Sequence, residues 1–172
     1  ITHQNEQRRL LRIVRSARDG LVAQLERSLQ LKLSSFYNNL GIDAFAISAV
    51  LERAEFLTFP RLMVILPIVP HRAMVRQLAN ARFRVVSFEH YFSEKTQYFY
   101  NFADRYRACL APTVNALQLL NEIGCLEFRA DGAAIVSPLP ITAAMGNRAD
   151  RIHRASSNIA ALISGSVDVF YL

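Results

Sequence analysis

Apolar residues at Leu10, Val14, Ala17, Leu21, Leu25 and Leu29 recur at spacings of three and four, which predicts one greasy side on a helix from about Asn5 to Ser34. Arg8, Arg12 and Arg15 point largely away from that stripe, and Gly20 weakens the rod locally by its backbone entropy. A helix of this kind needs a surface to lie on: its own domain first, then a second copy or a partner coiled coil. Gly41-Ile42-Asp43 then reads as a loop and N-cap, followed by a short helix from Ala44 to Glu55 that buries Phe45, Ile47, Val50 and Leu51.

The pattern changes at Phe59. The run FPRLMVILPIVPH, Phe59 to His71, is too short and too interrupted by its three prolines to cross a bilayer. It reads as a buried helix, capped by Thr58, with Pro60 in the first turn, an all-apolar Leu62 to Leu66, and Pro67 kinking or ending it before Pro70 closes the tract. A polar, basic segment follows from Arg72 to Arg84, then a helical tract from Ser87 to Gly124 that Pro112 divides into two helices. In its first part Phe99, Phe102 and Tyr106 share a helical face and read as core, whereas Tyr98 with Arg105 reads as part of a contact surface.

Cys125 to Arg129 and Ala133 to Ser137, joined by Ala130-Asp131-Gly132, form a hairpin signal, and a last helix opens near Asn147. Two helices followed by a hairpin suggest a winged helix-turn-helix. The expectation is therefore a mainly α chain with small β: an amphipathic basic helix over 1–39, and a helical domain over 40–172 with a winged-helix-like centre.

Charge refines this picture. The net charge is +6, and residues 1 to 39 contribute seven basic groups against three acidic ones, so most of the excess sits in the N-terminal arm. Arg8, Arg9, Arg12, Arg15 and Arg18 can pair with phosphates or with acidic side chains of a partner, or form a solvated helix face. The helix in the recognition position, Pro112 to Glu122, presents Thr113, Asn115, Gln118, Asn121 and Glu122 without a cation. A groove-reading helix needs cationic support against phosphates, so this centre reads as a protein-contact module.

Candidate chemistry is sparse. The six glycines are too scattered for a phosphate-cradling loop, and no P-loop, GxSxG, GxGxxG or HExxH occurs. Cys109 and Cys125 match no zinc spacing and read as reduced core thiols; His3, His71, His90 and His153 lack ligand context. The expectation is no catalysis, no cofactor and no metal. With 52% hydrophobic residues but no apolar stretch of spanning length and no signal peptide, the chain reads as soluble and cytoplasmic.

The stretch Phe59 to His71 resembles the entry P-L-x-L-x-F-L-V-L-P-L-V-L-H of the middle components of prokaryotic ABC-three-component systems, with Pro70 standing where a further aliphatic residue belongs. ALQLLNEIGCLEF, Ala116 to Phe128, is similar to that family's A-L-x-x-L-x-x-x-G-x-L-x-L, and Arg151 and Ala155 match the R-x-x-x-A that opens its terminal helix. The resemblance runs from about Phe36 to Leu172. It implies a non-catalytic accessory subunit of an anti-phage complex of the Lamassu kind, with an SMC-like ABC ATPase and an effector nuclease as partners, DNA met through the complex, and no membrane.

On that reading Arg8, Arg12, Arg15, Arg18, Tyr98 and Arg105 are the candidate contact residues, His71 at the family's histidine position is a structural group, and accessory subunits of this sort often use winged-helix folds. The alternative is a winged-helix DNA-binding transcriptional regulator that uses the arginine arm.

Overall fold

Phe45, Ile47, Val50 and Leu51 are all buried on helix α1, residues 40–54, in the computed structural model of the chain, which describes residues 40–165. Gly41 to Asp43 are already helical rather than a loop and cap. Asp43 is half-buried within reach of the Arg148 field, so tertiary contact overrides its capping preference. The helix stops at Glu55, whose φ of 62° turns the backbone left-handed.

Strand β1, Phe56–Thr58, follows directly and runs without a linker into helix α2, Phe59–Ile68. Thr58 is extended at the N-cap of α2, but its hydroxyl makes no capping bond. Pro60 lies in the first turn, where its missing N–H costs nothing, and Pro67 lies within the last turn. Leu62, Val64, Ile65, Leu66 and Ile68 are all buried, so the prolines bracket the central core helix. It packs on the helices later named α5 and α6 and touches the sheet. Each such side chain removed from water contributes about 1.5–3 kcal/mol.

The basic segment holds a further helix, α3, Arg72–Leu78, which buries Met74, Val75 and Leu78. Helix α4, Phe88–Glu94, is capped by Ser87, whose hydroxyl accepts from His90 N–H at 3.2 Å. A 3-10 turn at Thr96–Tyr98 leads to helix α5, Phe102–Glu122.

Here the sequence expectation fails in an instructive way: Pro112 sits inside a continuous α5, and the tract breaks instead at Lys95 to Asn101. Pro112 would ordinarily cost about 3 kcal/mol. The cost is offset by burial of Thr113, Ala116, Leu117 and Leu120 against the core, with α2 as the chief neighbour. The break follows Phe99, whose ring lies 5.1 Å from Phe92 and 5.8 Å from Phe88, folding the link back onto α4. Phe99 is therefore not on one helix face with Phe102 and Tyr106.

The hairpin forms from β2, Leu126–Phe128, and β3, Gly132–Ile135, and β1 adds to the other side of β3, giving an antiparallel sheet of order β1-β3-β2. Leu57 pairs with Ala133 and Thr58 with Gly132. A Cβ at Gly132 would lie 2.1 Å from the Leu57 carbonyl oxygen, so the crossing of the two backbones requires glycine there. A second 3-10 turn, Ala143–Met145, precedes helix α6, Gly146–Ser164, which packs on α3 and α2. The molecule is thus mainly helical with a small antiparallel sheet. Among the described residues no helix is long and apolar enough to cross a membrane.

Asn158 and Arg61 are among the polar ties that fix α6. Asn158, 4% exposed, donates from its amide nitrogen to the Leu78 and Phe83 carbonyls at 2.7 and 3.1 Å, and its carbonyl accepts from Val85 N–H at 3.1 Å. Arg61 on α2 donates to the Ser164 carbonyl at 3.1 Å, placing a cation on the negative end of α6.

Candidate interaction surface

His71, Tyr98 and Arg105 meet where α2 ends. Pro70 has no N–H, so the Leu66 carbonyl accepts from Val69 instead, at 3.2 Å, while His71 N–H bonds Ile68. That leaves the Pro67 carbonyl, and Arg105 donates to it at 2.8 Å while also donating to the Tyr98 carbonyl. The guanidinium lies 5.5 Å from the centre of the Phe102 ring and favours the negative end of α2. Tyr98 and Arg105, expected as part of a contact surface, lie together here; both are half-buried, and Arg105 is engaged with backbone carbonyls.

His71 caps α3. Its Nδ1 accepts from Met74 N–H at 3.2 Å, which requires an unprotonated Nδ1, and its ring lies 5.0 Å from that of Tyr98. Burial first, and the Arg105 guanidinium second, lower its pKa and favour the neutral form that the cap needs. Cys109 also feels Arg105, but burial and then Asp43 push its thiol up. An activated cysteine needs the opposite shift, so the arrangement favours packing over nucleophilic chemistry.

The face offered to solvent lies elsewhere. On α5, Val114, Asn115, Gln118, Asn121 and Glu122 are exposed, whereas Thr113, expected on that face, is buried and donates to the Cys109 carbonyl at 2.7 Å. In the hairpin Arg129 bonds Glu127 at 2.8 Å, so its charge is matched locally. Apolar groups are exposed around this region: Phe128 at 44%, Phe59 at 38% with its ring 6.2 Å from that of Phe128, and Val136 at 60%. Sequence reasoning missed Phe59 and Phe128 as a pair because they meet only once β1 joins the sheet. Arg8, Arg12, Arg15 and Arg18 lie outside the described residues. Among the described residues no group of histidine, cysteine and carboxylate side chains is placed to hold a metal ion.

Residues 22–171 match the model described as ABC-three component (ABC-3C) system Middle Component 3. The chain belongs to that family, and so is a middle component, an accessory part that works with the other components of such a system. No curated protein and no solved structure matches it.

Proposed function

We propose that the chain is the non-catalytic accessory subunit of a Lamassu-type anti-phage complex, bridging an SMC-like ABC ATPase and an effector nuclease. The observation that carries this reading is the family match over residues 22–171. The exposed Phe59 and Phe128 pair, with no free cation beside it in the hairpin, supports a protein-facing surface. The centre is winged-helix-like in this reading. Its support is the order α1, β1, α2, α5, β2, β3 with β1 added to β3, into which α3 and α4 are inserted between α2 and α5.

The test is affinity purification of the tagged chain from its native host, with co-purifying proteins identified by mass spectrometry. A large coiled-coil ATPase is expected in stable complex, and Phe128→Asp is expected to reduce its recovery. Recovery of the chain alone, bound to a defined DNA sequence, would overturn this reading in favour of a winged-helix regulator.

A further inference from the structure

Helices α3 and α6 pack side by side, and the seam between them opens into a groove of about 410 Å³ whose walls carry Arg72 and Arg76 from α3 and Arg148 and Arg151 from α6. Of its apolar lining, Val69, Val75 and Ile152 are closed to solvent at 6%, 3% and 1% exposure, and Pro70 is exposed. No carboxylate lines the groove. Among the described residues the side chains of Arg72, Arg76 and Arg151 make no hydrogen bond or ion pair, and Arg148 acts at a distance on Asp43. Four arginines thus line one cleft, and Arg148 and Arg151 lie toward the positive end of the α6 dipole, where a cation is unfavourable. Further along α6 lies a second cleft of about 320 Å³, lined by Arg84, which donates to the Ala81 and Phe83 carbonyls, and by Arg154, paired with Asp150 at 2.8 Å. From residue 148 to residue 158 the seam follows about 15 Å of α6.

From this arrangement we infer that the α3–α6 groove binds the phosphodiester backbone of nucleic acid, without reading its sequence. A single small anion would use one cleft, whereas the seam offers cations along a length that spans about four steps of one DNA strand. An acidic protein segment is held best by apolar anchors beside its charges, and this lining offers it Pro70 alone, Val69, Val75 and Ile152 being closed to contact. Planar guanidiniums suit phosphate oxygens, and contacts to phosphate carry no sequence information.

The test is fluorescence anisotropy of the full chain with a labelled DNA duplex of mixed sequence, and with a matching RNA duplex, titrated at salt concentrations between 50 and 200 mM. Four neutralised phosphates contribute about 3.6 to the log–log salt slope, or about 150-fold in affinity over that range. The folded variant R72A/R76A/R148A/R151A is expected to lose that contribution, and R72K/R76K/R148K/R151K to keep it, because lysine retains the charge. Tighter binding of one duplex names DNA or RNA as the source of the backbone. The inference is overturned if the wild-type chain binds neither duplex, if the alanine variant keeps the full slope, or if poly-glutamate displaces the duplex at equal or lower concentration. Recovery of the ATPase in the affinity purification is a separate readout, so this inference and the accessory role can fail independently.

Discussion

Asn158 shows how one side chain can set the course of a loop. Its three hydrogen bonds collect the end of α3 and the chain from Phe83 to Val85 onto α6, the bond to Leu78 fully buried and the other two partly so. Asn158→Ala is expected to strand those backbone groups and to cost about 2–3 kcal/mol, measured as a lower urea midpoint with unchanged slope. His71 acts at the same scale through its protonation state. Its folded pKa is lowered from 6.5, so below 6.5 the unfolded chain binds more protons than the folded one. The stabilising contribution is therefore complete above 6.5 and is lost as pH falls toward the lowered folded value. His71→Asn, which caps without titrating, is expected to flatten this acid-side dependence; His71→Ala should cost about 1 kcal/mol at neutral pH. Urea midpoints at several pH values check both. Periodicity marked neither role in advance: Asn158 reads as a polar position on a helix, and only the packed structure reveals what it faces.

At the scale of elements, what the sequence made legible were patterns that repeat. The apolar run of α2 with its two bracketing prolines, the buried face of α1, the hairpin around Asp131-Gly132 and the last helix from Gly146 all follow local rules of spacing and turn chemistry. What stayed hidden depends on partners far along the chain. Strand β1 is only Phe56 to Thr58, too short to show alternation, and exists because β3 is there to pair with it. Pro112 misled for the same reason, since the burial that holds α5 together comes from α2. The cations of α3 and α6 are widely separated in sequence, and their convergence is a property of packing alone. Gly132 is expected to be the least replaceable residue of the sheet: Gly132→Ala drives a methyl group into the Leu57 carbonyl. It should cost at least about 1–3 kcal/mol in thermal or urea unfolding, with the β1 amides losing protection first.

For the molecule as a whole, α2 is the hub on which the other parts are registered. α5 and the sheet lie around it, and Arg61 fastens the far end of α6 to it. The partner surface proposed around Phe59 and Phe128 and the proposed phosphate groove between α3 and α6 thus share one support rather than belonging to separate modules. Because Thr58 is at once the last residue of β1, the neighbour of Gly132 and the N-cap of α2, the hairpin is joined to that support with no slack between them. Force applied at the hairpin tip would arrive at the hydrophobic centre directly, and the sheet could not swing aside while the helices stay put. Hydrogen–deuterium exchange is therefore expected to show the β3 and α2 amides opening together, with similar protection, rather than the hairpin fraying first. A subunit built this way transmits a pull instead of absorbing it.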